Sequence, residues 1–185
     1  DNLYTGLDLG AVGKGYGCDK AIEIYSQNNV DDAVISVGGT IGLYSAEDKK
    51  EWTVAIKDPF EAMKGNYSTI GNIRLNKGYI ATSGLYEKYF NEDDTIYHHI
   101  LDPDTGYPVE NELMSVTVVS QTGVLSEILS TACFVMGVEN SKEVLKQYNA
   151  QAVFVLKDKN IYVTDGIFDN FEPAAHQYSI KKLEL

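Results

Sequence analysis

The chain has 185 residues, 44% of them hydrophobic, enough for one domain with a sizeable core. Its formal charge of −12 excludes the basic stripe that a nucleic-acid binder carries, and it repels anionic ligands unless a cation intervenes locally. No apolar run reaches membrane-spanning length, no signal peptide is visible, and the two cysteines, Cys18 and Cys133, read as buried free thiols.

Taken in order, the chain begins at Asp1 close to its first motif, which reads as an artificial boundary or a processed product. In LDLGAVGKGYGCD, residues 7–19, Leu7 and Leu9 flank Asp8 with strand-like alternation. Four glycines follow between Gly10 and Gly17, and helical periodicity takes over through Ala21, Ile22, Ile24 and Tyr25. A strand leading through such a turn into a helix lets backbone approach an anion at the helix N-terminus. The P-loop pattern fails because Gly15, not Ser or Thr, follows Lys14, and Gly13-x-Gly15-x-Gly17 lacks the third dinucleotide-binding spacing. A purely structural turn therefore stands beside the phosphate cradle.

The helix is expected to end near Asn28-Asn29, and Ala33 to Val37 reads as a buried strand broken by Gly38-Gly39, a tight turn or a ligand contact. Strands follow at 41–44 and at 52–57, the latter with Trp52, Val54 and Ile56 on one face before the Asp58-Pro59 turn. Ser68 to Leu75 and Gly78 to Thr82 are expected to form a hairpin about Asn76-Lys77-Gly78. Thr82-Ser83-Gly84 is a hydroxyl-rich turn or a ligand border. Tyr97 to Leu101 reads as a short strand whose alternation sends His98 and His99 to opposite faces, closed by the 102–106 turn. Beyond a strand at 113–120 come helices at 123–136 and 141–148 and a hairpin of 152–156 with 161–164. No repeat or linker interrupts this, so residues 1–185 read as a single α/β (α+β) domain with mostly antiparallel pairing and packed helices.

At about 100° per residue, Leu125, Leu129, Ala132 and Met136 share one face of the 123–136 helix, with Glu127, Thr131 and Phe134 opposite. Such a helix reads as buried on both sides. A carboxylate there requires a partner, because an isolated buried charge costs several kcal/mol. A salt bridge to Lys or Arg and a hard cation shared with Thr131 both answer that need.

Five segments, LDLGAVGKGYGCDKA, SVGGTIGLYS (36–45), YIATSGLYEKYF (79–90), HHILDPDTGYP (98–108) and SVTVVSQTGVLSEILSTACFVMG (115–137), resemble in order the motifs of the FAD:protein FMN transferases, or ApbE-type flavin transferases. The resemblance covers about the second half of a typical member. It implies an ApbE-like, T-fold-like domain without the N-terminal part that supplies further FAD contacts. It further implies Mg²⁺-dependent transfer of FMN from FAD to a Thr or Ser hydroxyl of a partner flavoprotein subunit, with release of AMP. The resemblance also implies an extracytoplasmic lipoprotein, membrane-anchored in its full-length form.

Carried over residue by residue, the resemblance implies Mg²⁺ ligation by Glu127, Thr131 and the carbonyl of Gly13, with Glu127 standing where the family has Asp. It implies FAD contacts at Gly13, Lys14, Gly15, Asp19, Gly38, Gly39, Thr82, Ser83, Gly84, His99 and Ile100. His99 and Glu127 are the implied catalytic pair, with His99 a base for the acceptor hydroxyl, since imidazoles titrate near neutrality. Without the resemblance, a hydrogen-bonded strand histidine is the stronger reading of His99. No stretch resembles an acceptor sequon, so the acceptor is expected on another chain. A flavin- or nucleotide-binding module without transfer, or a core completed by its missing half, are the alternatives.

Overall fold

The computed structural model describes residues 6–47, 50–93, 95–174 and 177–185; Asp1 lies outside them. In chain order the elements are α1 (Gly13–Gln27), β1 (Asp32–Val37), β2 (Thr40–Ser45), β3 (Trp52–Lys57), α2 (Pro59–Met63), β4 (Thr69–Leu75), β5 (Gly78–Gly84), β6 (Tyr89–Glu92) and β7 (Thr95–His98). They continue as β8 (Leu113–Ser120), α3 (Gly123–Gln147), β9 (Gln151–Leu156), β10 (Asn160–Thr164), α4 (Asp165–Phe168), β11 (Phe171–Pro173) and β12 (Ser179–Leu183).

Seven strands form the main sheet in the order β1-β2-β5-β8-β9-β10-β12; β11-β4-β3 form a second sheet and β6-β7 a ribbon. Among the described residues the β10–β12 pair is parallel and the other strand pairs are antiparallel, as the sequence suggested. Central β8 is buried along its whole length, which explains its β-branched run LMSVTVVS. Helix α3 packs on β5 and β8, and α1 packs on α3, β1 and β2. One apolar core joins Val116, Val118 and Phe154 of the main sheet to Ile56, Ile70 and Ile73 of the second. Both cysteines are buried and free. No helix of the described residues is long and apolar enough to cross a membrane.

Five expectations need correction. Ala33 to Val37 falls in β1 but is not buried: the strand alternates between half-buried and exposed residues, with Val34 51% exposed. Leu7 and Leu9 form no strand; they are 91% and 67% exposed, and the Asp8 carboxylate accepts the Gly10 N–H at 2.7 Å, turning the chain into α1 before any partner strand is met. β4 and β5 form no hairpin. Asn76-Lys77-Gly78 instead carries the chain from the second sheet, where β4 pairs with β3 and β11, to the main sheet, where β5 pairs with β2 and β8. The strand at 97–101 stops at His98, leaving Leu101 a lone bridge to Pro108. Finally, α3 is not buried on both sides. Ile128 and Met136 are 42% and 37% exposed, while Glu127, Leu129, Ser130, Cys133 and Phe134 face inward. Gly137, at φ 76°, kinks α3 into the two helices the sequence separates.

Candidate active site

A cavity of about 350 Å³ opens where the start of α1, the end of β5, residues 99–101 and the first turns of α3 meet. Lys14, Thr82, Ser83, His99, Ile100, Glu127 and Thr131 line it together, seven of the residues expected at the site. Asp8, Gly10, Ala11, Ala81, Glu87, Leu101 and Ser130 complete the wall.

Two backbones in near contact create this geometry. A Cβ on Gly15 would lie 2.1 Å from the Gly123 carbonyl oxygen, and one on Gly123 would lie 2.3 Å from that of Gly15. Glycine at both positions lets α1 cross the N-terminus of α3 without side chains between them. The crossing brings the Gly15 N–H to Glu127 Oε2 at 2.6 Å. Thr40, buried at the start of β2, donates its hydroxyl to Oε1 at 3.2 Å, and the Lys14 ammonium forms an ion pair with the same oxygen. The Glu127 side chain is 3% exposed, so these donors supply the partners its desolvation demands. Lys14 itself is 43% exposed, and its stem lies over Gly38, where a Cβ would come within 2.7 Å of its Cδ.

A hydroxyl relay runs beside the carboxylate. Ser130 donates to the Glu127 carbonyl at 3.0 Å, so its own oxygen accepts from Ser83 at 2.9 Å. Ser83 in turn accepts from Thr131 at 3.1 Å. With one proton per hydroxyl, this direction is fixed by its end point, and it leaves the Thr131 lone pairs free to ligate. Thr82 pairs with Thr117 of β8 at 2.9 Å.

The two histidines separate as alternation required. His98 is buried; its Nε2 lies 3.1 Å from the Val109 carbonyl, and its Nδ1 accepts the Ile100 N–H at 3.3 Å, which selects the neutral Nε2–H tautomer. Burial lowers its pKa. His99 is exposed on the cavity wall, held by its backbone N–H on the Lys88 carbonyl at 3.2 Å. Beside it, Glu87 is solvent-open at its edge, yet desolvation from the protein side raises its pKa against the pull of His99, Lys14, Lys57 and Lys88.

Other expected contacts lie off the cavity. The Asp19 carboxylate accepts the Gly123 and Val124 N–H groups at 2.6 and 3.0 Å, capping α3. Burial, followed by the charge of Asp19, raises the pKa of the neighbouring Tyr79. Gly38 and Gly39 form the β1–β2 turn at φ 55° and 96°. Gly84 ends β5 against the Tyr86 ring, and Gly13 opens α1 without lining the cavity. The Lys14 ammonium donates to the Gly10 carbonyl at 3.4 Å.

Among the described residues, no three His, Cys, Asp or Glu side chains gather as a metal cluster. A hard cation nevertheless fits the donor set, since Glu127 Oε1, the free Thr131 lone pairs and the Gly10 carbonyl are all oxygen. The Lys14 ammonium, bound by two of these groups, marks a place that favours positive charge. Asp8, Gly10, Thr40, Glu87 and Ser130 escaped the sequence reading; Glu87, within the TSGLYEKYF segment, carried the clearest signal.

Comparison with known proteins shows which family the fold and sequence resemble. The ApbE family model matches residues 2–154. An FAD:protein FMN transferase of Klebsiella pneumoniae is 37% identical over 175 residues, covering 94% of this chain and 53% of that protein. One of Treponema pallidum is 34% identical over 173 residues, covering 88% and 47%. The crystal structure of an ApbE protein of Thermotoga maritima superposes with a TM-score of 0.78 at 33% identity, over 90% of this chain and 53% of that one. The flavin transferase ApbE of Vibrio cholerae gives a TM-score of 0.67 at 27% identity, over 92% and 50%. The chain thus spans about half the length of the curated relatives it matches. With most of its length matched by the family model, the chain belongs to the ApbE family.

Proposed function

We propose that the chain corresponds to the second half of an FAD:protein FMN transferase and carries its transfer site. The convergence of Lys14, Ser83, His99, Glu127 and Thr131 on one cavity, in a chain of this family, carries the reading. The oxygen of a Thr or Ser hydroxyl on a partner flavoprotein attacks the FMN phosphorus of FAD. The bond to the AMP oxygen breaks, and AMP departs. His99, exposed at the wall, takes the hydroxyl proton. Ser83 holds the Thr131 hydroxyl so that its lone pairs face the cavity, and Glu127 is held between α1 and β2. Mg²⁺ beside Glu127 and Thr131 would neutralise phosphate charge that the −12 chain otherwise repels. The carbonyl of Gly13, directly before Lys14, would complete the ligand set in this reading. The cavity is near the small end of the ~300–1,000 Å³ usual for ligand sites, as suits a chain half its relatives' length. The full-length form is membrane-anchored and extracytoplasmic in this reading.

The Lys14–Glu127 ion pair favours one rival, a flavin-binding module without transfer, because it already satisfies the carboxylate. Incubation with FAD, Mg²⁺ and a Thr-bearing acceptor peptide separates them. Transfer predicts AMP release and a covalently fluorescent peptide, both lost in His99→Ala while FAD still binds, and both lost in EDTA together with FAD binding. FAD binding without AMP release establishes the module, and absence of FAD binding overturns both.

A further inference from the structure

The Lys14–Glu127 pair joins a partly exposed cation to a buried anion. Glu127 is 3% exposed and tied through Oε2 to the Gly15 N–H and through Oε1 to Thr40. Lys14 is 43% exposed, on a four-carbon stem that lies over the bare Cα of Gly38. Its ammonium occupies the cavity side of Oε1 and reaches the Gly10 carbonyl at 3.4 Å. A divalent ion on Glu127 would need that same oxygen.

We propose that Lys14 is a tethered stand-in for the divalent cation, so that metal binding and the Lys14–Glu127 pair exclude each other. This rests on the cation site proposed above and adds its regulation. In the metal-free chain the ammonium satisfies a carboxylate that would otherwise be buried and unpaired. When the metal binds, two positive charges cannot share Oε1, and Lys14 swings into the open cavity. There its three N–H donors face whatever anion the metal has brought. The Glu127 charge is thereby balanced when the site is empty, and a free ammonium appears only when it is loaded. The competition is sharp because the Glu127 carboxylate already holds three donors before metal arrives.

The test uses Mn²⁺ as a paramagnetic probe on the chain without FAD. Lys14→Met is expected to bind Mn²⁺ about tenfold more tightly than wild type, because its carboxylate has lost its competitor. It should melt lower without metal and recover more on adding it. Glu127→Gln should bind no Mn²⁺ in either background. Should Lys14→Met fail to fold, ¹³C-methylation of the wild-type lysines reads the same event: Mg²⁺ should move the Lys14 resonance to the position of a free surface lysine. Equal Mn²⁺ affinity in wild type and Lys14→Met, or a Lys14 resonance indifferent to Mg²⁺, overturns this inference and leaves the cation site standing. No Mn²⁺ binding in either protein overturns the cation site and the inference with it.

Discussion

Gly15→Ala tests whether the α1–α3 crossing builds the site. The added methyl would sit 2.1 Å from the Gly123 carbonyl oxygen, 2.3 Å from its carbonyl carbon and 2.7 Å from the Val124 nitrogen. All three are backbone atoms, so no side chain can rotate away, and restoring ordinary contact at 3.4 Å requires the helices to part. Parting them opens the 2.6 Å bond from Gly15 N–H to Glu127 and strains the Asp19 cap on Gly123 and Val124. Overpacking of this kind costs about 1–3 kcal/mol, and a lost hydrogen bond to a charged group about 1.5–3 kcal/mol. Alanine returns about 1 kcal/mol of helix propensity. The net loss is about 3 kcal/mol, which for a chain of this size lowers the melting temperature by roughly 6–12 °C. Thermal unfolding followed by circular dichroism measures it, with Gly13→Ala as control. A Cβ at Gly13 meets nothing within 4 Å, so that variant should melt at or slightly above wild type. A Gly15→Ala protein melting within about 2 °C of wild type would refute the backbone contact and the site geometry built on it.

Two further variants follow from the same structure. Burial lowers the pKa of His98, so the folded state resists the proton that the unfolded chain takes up near the ordinary value of 6.5. Its contribution is therefore fully present above that value and is lost as pH falls below it. Melting curves between about pH 7.5 and 5.5 should fall more steeply for wild type than for His98→Gln, and parallel slopes would contradict the neutral tautomer. Asp19→Ala removes both acceptors at the α3 N-terminus and should cost about 2 kcal/mol, or roughly 4–8 °C, with FAD affinity retained. A variant that keeps its melting temperature and loses FAD would return Asp19 to the ligand.

Local signals in the sequence survived folding wherever the neighbours they needed were also local. Trp52, Val54 and Ile56 alternate because one face of β3 meets the core, and that pattern is written within six residues. Asp158-Lys159-Asn160 turns β9 into β10 because the turn and its two strands are contiguous, with Lys159 at φ 66°. Asn76-Lys77-Gly78 gives an equally good turn signal, yet the strands it joins belong to different sheets. A turn fixes a change of direction, whereas pairing is decided by which strands can bury both faces of β5, and those are β2 and β8. β12 was invisible for the same reason. It is a parallel edge strand whose partner β10 lies on the far side of α4 and β11, and SIKKL buries little of itself.

The site was legible in its demand rather than in its answer. A single carboxylate on an apolar helix must find positive partners, and helical spacing alone placed Thr131 beside it. Which partner it finds is set by the Gly15–Gly123 contact between residues more than a hundred positions apart, and no periodicity encodes such a meeting. The motif resemblance supplied Lys14 and Glu127 without the relation between them, because a motif lists residues that face one ligand and omits how they satisfy each other when it is absent. Salt bridge and cation site were opposed readings of Glu127 on sequence. On the proposed cation site they become two occupants of one oxygen: Oε2 is committed to the Gly15 N–H of α1, while Oε1 carries the Lys14 ammonium that a divalent ion would have to displace.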